Sequence, residues 1–213
     1  DRMMSRGLGD VYKRQDKNGM YMTQNTGSKI YTMSLKKPAD FKLRVLENSL
    51  DGMKLKIDDV EIQTSLIGNF NAYNILSVTS IAKVLNLNEK NIYENLSLLN
   101  SPTGRFEIVT HKNITAIIDY AHTPDALLNI LNTIHSININ NLKVITVIGC
   151  GGGRDKDKRK KMGLIAVNNS SFSVFTSDNP RDEDPEKIIE DMISGIEKIQ
   201  LKNAPRDIAS LIN

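Results

Sequence analysis

The sequence holds no tryptophan, one cysteine, three histidines and six prolines, and aromatic residues make up 5% of its 213 positions. A single cysteine cannot close an internal disulfide, which excludes a small disulfide-stapled secreted fold and fits a reducing compartment. The histidines match no Cys or carboxylate spacing, so no metal-ligand cluster is expected. No run of about 18 apolar residues occurs, so no spanning helix and no membrane insertion are expected. The N-terminus also lacks the apolar core of a signal peptide. Charge of one sign is scarce: 28 Lys and Arg stand against 25 Asp and Glu. No basic stripe with interleaved aromatics appears, so nucleic acid is not an expected partner. What is present is 39% hydrophobic residues, enough to bury a core.

The two ends read differently from the middle. Residues 1–15 carry four basic and two acidic side chains and no usable periodicity. The stretch Ser5 to Gln15 resembles a translated sequencing adapter and is set aside from fold reasoning, as an expression tag would be. At the other end, Pro205 to Asn213 begins a helical pattern through Ile208, Leu211 and Ile212 and stops without a cap. Both ends are expected to be breaks in a longer protein.

Between Ser28 and Gln63 the chain alternates like strands. Phe41, Leu43 and Val45 are separated by Lys42 and Arg44, and Leu55, Ile57, Val60 and Ile62 continue the period of two. Asp51-Gly52 marks a hairpin turn. An antiparallel meander is expected. From Asn71 the period becomes helical, with Ile75, Val78, Ala82 and Leu85 on one face and Leu76 and Thr79 alongside. A second helix is expected from about Glu89 to Leu99, capped by Asn88, with Ile92, Leu96 and Leu99 inward. Ser101-Pro102-Thr103-Gly104 is a breaker cluster and the expected domain boundary.

Beyond it, strands and helices alternate. Ile114 to Tyr120, Lys143 to Ile148 and Phe172 to Thr176 read as buried strands. Pro124 to Ile137, Arg159 to Asn168 and Pro185 to Ile199 read as helices. Thr123 caps the first of these, and Ile188, Ile189, Met192, Ile193 and Ile196 face inward on the last. The pattern is that of an α/β, doubly wound domain with a parallel sheet.

In such a sheet ligands bind at the carboxyl ends of the strands. Three polar loops follow the three strands: 119–125, 149–159 and 177–185. The glycine loop, Gly149 to Arg154, lacks the third glycine of a dinucleotide loop and the Lys-Ser/Thr of a phosphate loop. Two readings stay open for it: an anion or carboxylate site flanked by Arg154, Lys156, Lys158 and Arg159, or a plain tight turn. Asp178-Asn179-Pro180-Arg181 combines an arginine fork with an amide that both donates and accepts, which suits a zwitterionic amino acid. A helix-capping loop, with Asp184 or Ser177 as the cap, is the competing reading. Asp119 could accept from a ribose hydroxyl or serve only as a turn residue, and His122 follows three residues later. His111 falls in an expected hairpin and His135 on a helix. Cys150 is a small packing residue with no partner base.

Taken in order, Gly68-Asn69-Phe70-Asn71-Ala72-Tyr73-Asn74, Gly104-Arg105-Phe106-Glu107, Asp119-Tyr120-Ala121-His122-Thr123-Pro124-Asp125, Gly149 to Lys156 with Lys158-Arg159, and Asp178 to Pro185 resemble the motifs of the Mur ligases. The resemblance covers about residues 28–199. It implies the end of a central ATPase domain over 16–101 and an incomplete Rossmann-like C-terminal domain over 102–213. It also implies an ATP-dependent acid–amino-acid ligase in peptidoglycan synthesis, cytoplasmic, bacterial and monomeric. ATP would phosphorylate the D-glutamate carboxylate of UDP-N-acetylmuramoyl-L-alanyl-D-glutamate, and an incoming amine would attack the acyl phosphate.

Residue by residue, the resemblance gives nucleotide-binding roles to Asn71, Asn74, Arg105, Asp119 and His122, with Asn74 at the adenine. It gives the amino-acid site to Arg154, Asp178, Asn179, Pro180 and Arg181. Arginine at 181 implies meso-diaminopimelate, whose distal carboxylate lysine lacks; an arginine facing the lysine ammonium would be a like-charge clash. Gly153 stands where the family often has Asp. No complete catalytic set and no metal ligand is expected within the chain. The resemblance puts the Gly-Lys-Thr phosphate loop, the carbamylated lysine, the Mg2+ ligands and the UDP site upstream, and a Gly-Lys-Gly-His-Glu motif beyond Asn213. The chain alone is therefore expected to be inactive. A lysine-adding relative, or a noncatalytic amino-acid- or nucleotide-binding α/β module, are the alternatives.

Overall fold

A computed structural model describes residues 10–13, 21, 23–137, 142–194, 196 and 208–211. Contacts divide the chain into two units, Asp1–Ile118 and Asp119–Asn213.

The first unit is built on five strands in sequence order: β1 (Asp10–Lys13), β2 (Ile30–Ser34), β3 (Phe41–Ser49), β4 (Gly52–Ile57) and β5 (Val60–Thr64). The expected meander is there as β3, β4 and β5, antiparallel, with Leu43 opposite Ile57 and Leu55 opposite Ile62. The sheet as a whole is mixed, which corrects the expectation for 28–63, because β2 lies parallel to β3 and β1 parallel to β2. The link between β2 and β3 doubles back: Ser34 Oγ accepts from the amides of Lys36 and Lys37, and Asp40 Oδ2 accepts from Thr32 N at 2.7 Å. Four of the residues set aside at the start of the chain thus form a strand, with Asp10 opposite Ile30.

Two helices complete this unit, α1 (Asn69–Val84) and α2 (Glu89–Ser97). The face of α1 is rotated from the expected one. It buries Ala72, Ile75, Leu76, Thr79 and Ser80, while Val78 and Leu85 are 56% and 48% exposed. Hydroxyls make this arrangement affordable in free energy: Thr79 Oγ1 donates to Ile75 O and Ser80 Oγ to Leu76 O, so neither is buried unpaired. An apolar-only pattern cannot see them. Asn88 caps α2 by accepting from Asn91 N at 3.2 Å, and Ile92 and Leu96 enter the core formed with Leu43, Leu55 and Ile75. Leu99, expected inward, lies past the helix end and is exposed. Lys83 ties α1 to Asp58 and, at 3.2 Å, to Glu89. Burial alone would lower its pKa, but the hydrogen bonds with Asp58, Tyr93 and Glu89 outweigh that and raise it.

β6 (Glu107–His111) and β7 (Ile114–Ile118) form a two-stranded antiparallel ladder. This corrects the place of Ile114 to Tyr120, expected as the first strand of the parallel sheet. Among the described residues β7 pairs with β6 alone, and Ile114 and Ile118 are exposed.

The second unit carries a Rossmann-like parallel sheet, β8 (Ile145–Ile148), β9 (Phe172–Thr176) and β10 (Ile208–Leu211), in the order β10-β9-β8. The expected helix at 205–213 is therefore corrected over Ile208–Leu211. A short apolar run fits either period, and here pairing with β9 decides. Three helices follow their expected places: α3 (Pro124–Ile137), α4 (Asp157–Asn168) and α5 (Pro185–Ile193). Thr123 Oγ1 accepts from Ala126 N, and Asp184 caps α5 by accepting from Glu186 N. The last helix, expected to reach Ile199, ends at Ile193 with Ser194 as its cap, and Ile196, buried as expected, lies in a bend; 197–199 lie outside the described residues.

Leu131, Met162, Ala166, Ile188 and Met192 pack with Ile148 and Phe175 in one core. Ile145 and Val147, on the other face of β8, are 63% and 65% exposed, so β8 is not buried on both faces as expected. Gly163 permits the close contact of α4 with α5: a Cβ there would stand 2.1 Å from Met192 O.

Candidate functional site

The loops after β8 and β9 interlock within the second unit. Gly152 N donates to Asn179 O at 2.9 Å, and Gly153 N donates to Glu183 Oε1 at 2.6 Å. In return Arg181 NH1 donates to Gly152 O at 2.6 Å. The approach is too close for side chains: a Cβ at Gly152 would lie 1.9 Å from Pro180 O, and one at Gly149 2.7 Å from Thr176 O. The arginine occupies space that other residues would fill, since a Cβ on Gly151 would meet Arg181 NH1 at 3.0 Å. These glycines seat the neighbouring loop. One of their amides, that of Gly153, is taken by a carboxylate of the chain itself, Glu183.

Three of the four basic residues flanking the loop, Lys156, Lys158 and Arg159, have partners within the chain. Arg159, at the start of α4, is fully buried. Its guanidinium grips Glu183 with two bonds, NH1 to Oε2 at 3.0 Å and NH2 to Oε1 at 2.9 Å. It also donates to Asp191 Oδ2 at 2.9 Å. Lys156 adds a contact to Glu183 at 3.2 Å. The Arg159 hydrogen bonds, the Gly153 amide and Lys156 together hold the Glu183 carboxyl down at about 2. Lys158 serves the third loop, donating to His122 O at 2.9 Å.

The expected amino-acid residues fall as follows. Arg181 sits in the left-handed region at φ 51°, its amide donating to Asn179 Oδ1 at 3.2 Å. Arg181 is an exposed residue whose NH1 is held on Gly152 O. Asp178 and Asn179 are exposed beside it and Pro180 is half-buried. Arg154 is exposed on the glycine loop and makes no bond to the 178–181 segment. Burial pushes the Cys150 thiol up, and its sulfur packs on Met162 Sδ at 3.8 Å, as a packing residue does.

The nucleotide residues are divided between the units. In the second, Asp119 is half-buried and His122 exposed, its ring 5.1 Å from that of Tyr120. His122 Nδ1 lies 3.0 Å from Tyr120 O. In the first, Asn71 and Asn74 share one face of α1. Asn71 Nδ2 donates to Ile67 O at 2.9 Å and its Oδ1 accepts from Asn74 Nδ2 at 3.2 Å. That bond orients the exposed Asn74 amide, whose Oδ1 and second N–H are engaged by no described residue. This donor and acceptor pair fits the edge of a nucleobase. Arg105 is exposed. A cleft of about 300 Å³ opens nearby between Leu50, Asp51, Ser65 and the 101–108 segment, and none of Asn71, Asn74 or Arg105 lines it. Among the described residues there is no group of three His, Cys, Asp or Glu side chains that could hold a metal ion.

Residues 104–212 match the family model described as Mur ligase, glutamate ligase domain, and residues 4–82 match Mur ligase middle domain. The chain belongs to the Mur ligases. Its Mur ligase relatives include UDP-N-acetylmuramoyl-L-alanyl-D-glutamate–2,6-diaminopimelate ligases. The one from Bacteroides thetaiotaomicron is 48% identical over 188 residues, which is 88% of this chain and 39% of that protein. The one from Listeria innocua is 39% identical over 191 residues, 87% of this chain and 38% of that protein. The chain thus spans about two fifths of the length of these curated relatives. A solved structure bearing the same ligase name aligns with a TM-score of 0.57 at 30% identity, covering 95% of this chain and 42% of the other. Folylpolyglutamate synthase from Thermotoga maritima, at 18% identity, shares the fold with a TM-score of 0.67 over 97% of this chain and 51% of its own.

Sequence reasoning missed Glu183, Asp191 and the inward role of Arg159. One signal was available. Arg159, Met162, Gly163, Ala166 and Val167 follow a single helical face, which places the arginine on the buried side of α4.

Proposed function

We propose that this chain carries the amino-acid half and part of the nucleotide site of an ATP-dependent ligase. The enzyme would add meso-diaminopimelate to UDP-N-acetylmuramoyl-L-alanyl-D-glutamate. The observation that carries the reading is Arg181, an exposed arginine whose NH1 is seated on the glycine loop, on one segment with the exposed Asp178 and Asn179. A fixed guanidinium binds a carboxylate bidentately, and the neighbouring carboxylate and amide suit an ammonium–carboxylate pair. The names of the relatives support the same substrate.

In this reading ATP is a substrate that activates the D-glutamate carboxyl as an acyl phosphate. The chain's own residues bind and orient. Asn74, held by Asn71, reads the adenine. Arg105, Asp119 and His122 meet the phosphates and ribose. Arg181, with Arg154, Asp178, Asn179 and Pro180, holds diaminopimelate so that its amine reaches the acyl carbon, and proximity supplies much of the rate. The Mg2+ this chemistry uses would be held outside the described residues. The enzyme is proposed to act in the bacterial cytoplasm as a monomer, with residues 16–101 closing its middle domain and 102–213 belonging to the ligase domain. The chain by itself would neither hydrolyse ATP nor ligate.

The test is a competition assay on the complete enzyme carrying this chain. Diaminopimelate should be consumed in preference to lysine, and Arg181→Ala should raise the KM for diaminopimelate roughly 30-fold, the loss of about 2 kcal/mol. Lysine preference would assign the lysine-adding relative instead. ATP-independent binding without ligation would assign a noncatalytic module.

A further inference from the structure

We propose that Arg159 and Glu183 form a clamp that positions the amino-acid site without touching the substrate. This rests on the proposed function for its consequence, and on geometry alone for its existence. Glu183 is the point where the two loops meet. Its carboxylate accepts from Gly153 N in the first loop, while its own amide donates to Pro180 O in the second. Arg159 anchors that carboxylate from beneath with a bidentate grip, and its NH2 also approaches Gly151 O at 3.5 Å. The seat of Arg181 on Gly152 O therefore depends on a residue two positions away that is fixed by a buried arginine on another element.

Asp191 supplies the control. It is the other carboxylate of Arg159, it lies on α5, and it bonds neither loop. A purely structural role for Arg159 would make the two carboxylates equivalent. A positioning role makes Glu183 special, because it alone connects the arginine to the loops. Glu183→Gln keeps the size but only one acceptor: in either orientation its NH2 faces donors, Gly153 N and Arg159 NH2 at the Oε1 position or Arg159 NH1 and Lys156 at the Oε2 position. Asp191→Asn perturbs the same arginine from the far side.

Two measurements test the clamp. In the complete enzyme, Glu183→Gln should raise the KM for diaminopimelate at least tenfold and leave the KM for ATP within twofold, while Asp191→Asn changes both less than twofold. In the 213-residue chain, hydrogen exchange at the Gly152 and Gly153 amides should accelerate at least tenfold in Glu183→Gln and less than twofold in Asp191→Asn. Equal effects of the two substitutions, in either measurement, would overturn the clamp, as would unchanged exchange in Glu183→Gln. An enzyme that ignores diaminopimelate would refute the substrate reading alone, since the exchange measurement needs no substrate.

Discussion

The two units hold their candidate site residues in different ways. In the first, Asn71 and Asn74 ride on α1, and one side-chain bond between neighbours on a helix face suffices to aim the outer amide. In the second, the residues that would bind an amino acid lie on loops after β8 and β9. There the backbone is fixed by glycines without room for a Cβ, a left-handed arginine and an ion pair whose arginine is buried. A helix delivers orientation through its own hydrogen bonds, whereas loops need fixing from outside. The second unit should therefore be the more fragile to single substitutions near its site.

The sharpest way to break that contrast is Arg159→Met. It takes the guanidinium from Glu183, which keeps Lys156 and the Gly153 amide, and from Asp191. It should destabilise the second unit by about 2 kcal/mol, below the range for a fully buried pair because both carboxylates reach water. Urea unfolding followed by hydrogen exchange should show the loss in 119–213 and no change in 23–118. Next comes Gly163→Ala, where the added methyl meets Met192 O and should cost about 2 kcal/mol, again confined to the second unit. Asn88→Ala is the counterpart in the first unit. It removes the cap of α2 and should cost about 1 kcal/mol, leaving the loops after β8 and β9 protected.

Acid provides a smaller, graded test. The Glu183 carboxyl is held at about 2 against an ordinary 4.5. A depressed carboxyl adds stability that is complete above the ordinary value and disappears as pH falls through the folded one. The stability gap between the unaltered chain and Glu183→Gln should thus be constant above about pH 5 and should close toward pH 2. A gap that persists unchanged at pH 2 would mean that the carboxylate charge is not what Glu183 contributes.

Local chemistry was legible in the sequence where one residue decides. Asn88 and Thr123 cap the helices they were expected to cap, and the meander from Phe41 to Thr64 follows its period of two. The family, too, was legible from motif order. Pairings over distance were not. Ile208–Leu211 fits two periods equally well until β9 selects one, and Ile114–Ile118, beside the expected hairpin at His111, reads as a strand of the parallel sheet but among the described residues pairs only with β6. The buried face of α1 was misplaced because Thr79 and Ser80 hide their hydroxyls against their own helix. The glycine loop shows the same limit. Its glycines advertised an anion, and nothing local revealed that Glu183, thirty residues away, supplies it.

The most direct measurement of the central claim is a titration of the 15N-labelled chain, in which meso-diaminopimelate and L-lysine are compared at equal concentration. The expected result is that diaminopimelate shifts the amide signals of Gly152, Asn179 and Arg181 while lysine leaves them in place. Equal shifts with both amino acids, or shifts confined to residues outside 149–154 and 178–184, would contradict the assignment of Arg181 to a distal carboxylate.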